Sequence, residues 1–385
     1  MFGEQSSFMS VLRLPKHIAY SQGLSNEVTK SLSDSTAQAL KLGELLQLSG
    51  NDIEAMPLQY SPVQGDALLR QEIVNFHQQL NCHSDTLEAD NAVTFCGAQE
   101  ALSAIYQALL KAGDEIVVLT PSYPSLVTMA KSKGVVVREI ALSADNQWQV
   151  NIEDFTKVVN EKTQLIVLNS PHNPTGSIID STLAEQVLQL AQRYQCYLLS
   201  DDVSQASNYR GLTLAHGYLD YSKSIVVGVM SKSFGLAGIR IGWAVTPNKA
   251  LLKILIAIKA VNSICCSKID EALACIALKN SHAILSRNNE IISDNIKLFS
   301  ALVLRHKKRL SWYPPQAGIL ALVEVKNIET MTAWSNALAK KTGILTLPSE
   351  LFGLQGNYFR LGLGQKSFAQ TLVKFERYLL ETPPC

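Results

Sequence analysis

Lys232 stands in the run GVMSKSFGLAGIRIGW, directly after the apolar, β-branched stretch Ile225 to Met230. Side chains at the end of such a strand reach the open crevice of a parallel sheet, where ligands bind. A lone Ser-Lys pair there is only a surface lysine. Here Arg240 follows eight positions later, with Gly235, Gly238 and Gly242 around it. Glycine costs backbone entropy, so this density predicts close approach of the chain to a ligand.

Three further segments end in groups suited to the same crevice. Asp201 closes the apolar run YLLSD and, beside a reactive amine, can pair with a cationic ring nitrogen; its plainer role is a helix N-cap. Asn173 lies in NSPHNPTG, where two prolines define the turn and leave the amide free to donate to a phenolate-type oxygen. In TFCGAQEAL a strand passes through Gly97 into the first turn of a helix, a junction whose N–H groups suit a phosphate.

The elements that must position these groups are legible as apolar runs. Strands are expected at Ala92 to Cys96, Glu115 to Thr120, Gln164 to Asn169, Tyr197 to Ser200, Ile225 to Met230 and Ile241 to Thr246. Their apolar character is nearly continuous, as for strands covered on both faces. Helical periods over Gln99 to Lys111 and Leu183 to Tyr194 alternate with them, which implies α/β with a largely parallel sheet. From about Ile269 the pattern turns to long helices, then short strands after Trp312 and a closing helix from Ser367 to Leu380. A large domain is expected over 46–285, and a smaller α+β domain from 1–45 together with 286–385.

Composition narrows the functional classes. With 385 residues, 47% hydrophobic and 17% charged, the chain has the apolar content to fold. Lys plus Arg number 34 against 33 Asp plus Glu, so nothing supports general attraction to nucleic acid. No apolar run approaches the ~18 residues of a membrane span, and the first residues lack a secretory pattern. Seven cysteines without a CxxC pair argue against a disulfide framework or metal site and for reduced thiols in the cytoplasm.

Taken in order, GAQEAL, AGDEIVVLTPSYPS, SPHNPTG, SDDV, SKSFGLAGIRIGW, LPSELFG and FRLGLG resemble the class I/II aminotransferases, pyridoxal 5'-phosphate (PLP) enzymes of fold type I. The resemblance covers nearly the whole chain and implies a mostly parallel central sheet sandwiched by helices, beside a smaller domain. It implies that Lys232 forms the Schiff base and shuttles the Cα proton once the substrate is held as an external aldimine. Asp201 would hold the pyridinium N–H, Asn173 the phenolic oxygen, and Tyr123 the ring face. Gly97, Ala98, Gln99, Ser231 and Arg240 would hold the phosphate, with Tyr60 reaching the phosphate of a partner subunit in a homodimer. Arg360 would clamp the substrate carboxylate, with Gly23 and Asn173 also at the substrate.

Two positions depart from the family pattern. Ser204 occupies the place of the tyrosine in Asp-x-x-Tyr, and Val229 stands three before the lysine, where many members carry a hydroxyl. LKLGELLQLSG and SKIDEALACIALKNSHAILSRNNEIISDN are similar to a branch that includes guanidino-amino-acid cyclases of the capreomycidine synthase type, which also lack the tyrosine. Two reactions are therefore in view: elimination or cyclisation at the side chain of an arginine-like, hydroxylated amino acid, and ordinary amino transfer to a keto acid. A transcription regulator on this fold would need a DNA-binding domain, for which no helix-turn-helix or basic patch is present. Glu4, Glu27 and Asp202 are candidate partners for a guanidinium, each also readable as solvated surface.

Overall fold

The computed structural model of the chain describes residues 14–49, 53, 55–80, 87–214 and 218–382. Seven strands build the main sheet: β1 (Ala92–Phe95), β2 (Glu115–Thr120), β3 (Val136–Ala141), β4 (Thr163–Asn169), β5 (Tyr197–Asp201), β6 (Ser224–Val229) and β7 (Gly242–Val245). Their order is β1-β7-β6-β5-β4-β2-β3. β7 is antiparallel to both neighbours, and every other pairing is parallel. β1, β6 and β7 are buried along their whole length, which explains their unbroken apolar runs.

β3 is the strand the apolar pattern did not reveal. It is the sheet edge, and only Ile140 among its residues is buried. Arg138 projects from it and grips Glu115 of β2 with two bonds of 2.9 and 3.0 Å. A charged, half-solvated strand of this kind blunts edge-to-edge pairing and leaves little hydrophobic signal.

Helices cover both faces. Ala98–Leu109 packs Ala101, Leu102 and Ile105 with Val93, Ile116 and Leu165 of the sheet. Ser181–Arg193 packs Val187 and Leu190 with Val117, Ile166 and Leu168 on the opposite face. Its first turn is capped by Asp180, whose carboxylate accepts from the Leu183 N–H at 2.8 Å.

A second, four-stranded antiparallel sheet contains Leu310–Trp312, Leu320–Val325, Leu347–Pro348 and Tyr358–Gly362. Residues from both ends of the chain share its core: Leu32 and Ala37 pack with Phe299, Val323, Phe359 and Phe375. Lys30–Ser31 also pairs in parallel with Ile344–Leu345. The boundary expected at residue 285 falls inside one helix, Ser281–Arg305. Ile284 belongs to the core of the large sheet, whereas Ile292 and Phe299 belong to that of the small one. A rigid helix, with no linker at that point, joins the two cores.

Candidate active site

The C-terminal ends of β4, β5 and β6 open onto one cleft, into which Asn173, Asp201 and Lys232 all project. Lys232 follows β6 by three residues, and its Nζ donates to Ser35 Oγ at 2.7 Å. Burial and the positive charge of Arg360 pull the amine down to about 8, against the opposing attraction of Asp201. Asp201 is 4% exposed, and burial pushes its carboxyl up to about 6, opposed by a backbone N–H and by Lys232. Its Oδ1 is buried without a hydrogen-bond partner in the chain. A buried carboxylate oxygen so placed is costly unless a ligand donates to it.

Asn169, the last residue of β4, ties this end together. Its amide donates to the Asp201 carbonyl at 3.0 Å and accepts from the Asn173 N–H at 2.8 Å. One side chain thus sets the height of the aspartate and the start of the HNPTG turn. Asn173 Oδ1 is also buried without a partner.

At the other end of the cleft, Gly97 (φ +88°) caps the helix Ala98–Leu109. A Cβ on Gly97 would push the Arg240 guanidinium aside, and the positive φ there favours glycine. Ala98, Gln99, Ser231 and Arg240 line this end. A helix N-terminus, a guanidinium and a hydroxyl suit a phosphate dianion.

Two of the three glycines after Lys232 make room for other backbone, where the sequence suggested a ligand. A Cβ on Gly235 would stand 2.6 Å from the Gln38 carbonyl, and one on Gly242 would collide with the Ala98 amide. Gly238 faces open space. Two of the three therefore let other stretches of backbone come close, one of them the segment that carries Ser35.

The remaining wall is aromatic and cationic. Tyr123 lines the cleft, and its hydroxyl donates to Gln99 Oε1 at 3.2 Å. Arg360, on the small sheet, is buried behind the residues that line the cleft, near enough for its charge to act on Lys232. Ser33 brackets it, accepting from Nη2 at 2.9 Å through its carbonyl and donating its own hydroxyl to the Arg360 carbonyl. Burial holds the guanidinium down at about 10, and its Nε is without a partner. Its plane lies 5.3 Å over the Phe352 ring. His17 stacks on the same ring at 6.4 Å and tilts against Tyr123 at 6.1 Å. Burial, then the charges of Arg360 and Lys232, pull this imidazole down to about 4, so it is neutral at physiological pH.

Ser35 and Asn169 are thus lining residues that motif reading missed, and His17 is a missed neighbour that packs behind Tyr123. Other expected residues lie elsewhere. Tyr60 is 83% exposed, on a surface shared with Leu58 and Ile264, away from this cleft. Gly23 ends the exposed helix Lys16–Gly23. Asp202 points to the opposite face of the sheet from Asp201, where it accepts from Ser200 Oγ, so it does not meet a ligand in this cleft. Glu27 is exposed, and Glu4 lies outside the described residues.

A family model for aminotransferase class I and II matches residues 25–373. The chain belongs to this family. It is 28% identical over 270 residues to capreomycidine synthase from Streptomyces vinaceus, covering 70% of this chain and 69% of the relative. It is likewise 28% identical over 283 residues to histidinol-phosphate aminotransferase from Methanococcus maripaludis, covering 74% of this chain and 72% of the relative. It shares its fold with the PLP-dependent cyclase OrfR, at a TM-score of 0.87 and 22% identity, over 96% of this chain and 98% of that one. This class I/II aminotransferase-family protein is accordingly a PLP-dependent enzyme. The cleft fits that cofactor: an unsatisfied aspartate oxygen at one end, a lysine amine held low, and a glycine–arginine cradle at the other. Among the described residues, no helix is long and apolar enough to cross a membrane.

Proposed function

We propose that the enzyme binds a free amino acid through its α-carboxylate and moves a proton at Cα with the Lys232 amine. The observation that carries this reading is the pairing of an amine held at about 8 with the orphaned Asp201 Oδ1 in one cleft. Bound there, PLP supplies an electron sink for the pair left at Cα. Asp201 holds the ring nitrogen's proton, since an opposite charge stabilises the protonated ring. The Asn173 amide would donate to the phenolic oxygen, Tyr123 would cover a ring face, and Gly97, Ala98, Gln99, Ser231 and Arg240 would hold the phosphate. Arg360 clamps the carboxylate with two parallel N–H bonds. Tyr60 serves the partner's site in a homodimer. Support comes from the exposed apolar side chains of Leu58, Tyr60 and Ile264, which share one surface.

The narrower reading is elimination and ring closure at the side chain of an arginine-like, hydroxylated amino acid. Ser204 supports it: this short hydroxyl lines the cleft where the family pattern has a tyrosine, leaving room near Asn173. The likeness to capreomycidine synthase points the same way. Amino transfer to a keto acid is the second reading. It is favoured by the scarcity of acid for a guanidinium: among the described residues, Asp201 is the one carboxylate lining the cleft.

One experiment separates them. The purified holoenzyme is incubated with arginine, its hydroxylated forms and a panel of amino acids, with and without a keto acid. Consumption of a hydroxylated arginine without keto acid, with loss of water, is the expected result. Turnover only when a keto acid is added would overturn the narrower reading in favour of amino transfer.

A further inference from the structure

We propose that Ser35 is a further catalytic residue, which holds the Lys232 amine in one place through both of its protonation states. This role rests on reading Lys232 as the group that moves the Cα proton. Ser35 lines the cleft, and its hydroxyl accepts from Lys232 Nζ at 2.7 Å. Among the described residues it is the one group hydrogen-bonded to that amine. Asp201 is near enough to attract the amine, yet its Oδ1 takes no hydrogen bond from it.

The chain on either side keeps Ser35 against the lysine. Ala37 donates its N–H to the Lys232 carbonyl at 3.0 Å, so the side chain and the backbone of Lys232 grip the same short segment. On the other side, the Ser33 carbonyl accepts from Arg360 Nη2 at 2.9 Å, and the Ser33 hydroxyl accepts from the Leu347 N–H at 2.9 Å. Ser35 thus stands between two fixed points, one on the lysine's turn and one on the small sheet.

A hydroxyl suits this position chemically. When Lys232 acts as a base, the Cα–H bond breaks, the proton passes to Nζ and the electron pair stays with the substrate. The neutral amine has two N–H bonds and a lone pair, and the ammonium has three N–H bonds. A serine oxygen accepts from one N–H in either form and leaves the lone pair free. The bond is stronger to the ammonium, because a charged donor strengthens it. It therefore opposes burial and the charges of Arg360 and Arg240, which disfavour the ammonium, and acts in the same direction as Asp201. The imidazole of His17 is also within reach of this amine, but it is neutral. A carboxylate in place of Ser35 would fix the proton on the amine. An apolar side chain would leave the amine a weaker base and free to swing away from Cα.

The test compares the wild type with Ser35→Ala, which removes one oxygen, and Ser35→Thr, which keeps the hydroxyl. The first readout is the pH midpoint of PLP uptake by apoprotein that regains its starting spectrum on reloading. Ser35→Ala is expected to lower this midpoint by about one unit, and Ser35→Thr to restore it. The second readout is deuterium exchange at Cα of an amino acid in D₂O with the holoenzyme. It is expected to fall about tenfold in Ser35→Ala and to recover in Ser35→Thr. An unshifted midpoint in Ser35→Ala would overturn the hold on the amine, and wild-type exchange there would overturn the catalytic role. Equal losses in Ser35→Ala and Ser35→Thr would show that the hydroxyl is not the active feature, which also overturns the proposal. Absence of exchange in the wild type is a distinct result: it overturns the reading of Lys232 as proton carrier, whatever the midpoint shows for Ser35.

Discussion

On the large-sheet side of the cleft, Asp201, Asn169 and Asn173 sit at the ends of adjacent parallel strands, held by backbone and by one another. On the small-sheet side, Arg360 stands on an antiparallel strand and is held by a neighbouring turn of chain through Ser33. The first side leaves one oxygen each of Asp201 and Asn173 buried without a partner in the chain. The second leaves the buried Nε of a guanidinium without a partner in the chain. The difference fits the division of labour proposed above, in which the large sheet serves the chemistry and the small one the substrate's carboxylate. Lys232 belongs to both, because its amine is bonded to Ser35 of the segment that runs against the small sheet.

The largest break in that comparison is Lys232→Ala. Removing a positioned proton carrier costs roughly 10²–10⁴-fold. The expected result is loss of Cα deuterium exchange on that scale, with no borohydride-reducible link to the cofactor. A reducible link at another lysine would place the chemistry elsewhere.

Arg360→Ala tests the opposite side. A buried charge-assisted bond contributes about 1.5–3 kcal/mol, so kcat/KM should fall by roughly ten- to a hundredfold, chiefly through KM. Circular dichroism should show the fold retained. A fall confined to kcat would mean that Arg360 acts on the reaction and not on the carboxylate.

The smallest effect concerns the coupling between the sides. An amine pulled below its ordinary range is neutral over more of the pH scale, and only the neutral amine combines with PLP. The rate at which apoprotein takes up the cofactor should therefore rise with pH and level off above about 8. Burial is the main cause and the Arg360 charge the next, so Arg360→Ala should move that midpoint upward. A wild-type midpoint near the ordinary 10.5 of lysine would show that the cleft does not perturb the amine.

Much of this was legible because strand ends and turns write themselves locally. The runs before Asp201 and Lys232 are continuous and apolar, and HNPTG is a turn in any context. β3 was not singled out, since its apolar run, Val135 to Val137, stops at Arg138 and Glu139. Ser35 and His17 carried no signal either. A serine and a histidine near one end of the chain are unremarkable until folding brings them to Lys232 and Phe352, across 197 positions in the case of Ser35.

Sequence alone determined the family, the parallel sheet and the order of Asn173, Asp201 and Lys232 along it. Each of these depends on residues within a few positions of one another, where periodicity and turn chemistry act. Tertiary structure alone decided what the glycines after Lys232 are for, which face Asp202 takes, and which groups perturb the lysine. Those outcomes depend on desolvation and on charges brought close from distant parts of the chain. Burial and Arg360 set the Lys232 amine, and neither is adjacent to it before the chain folds.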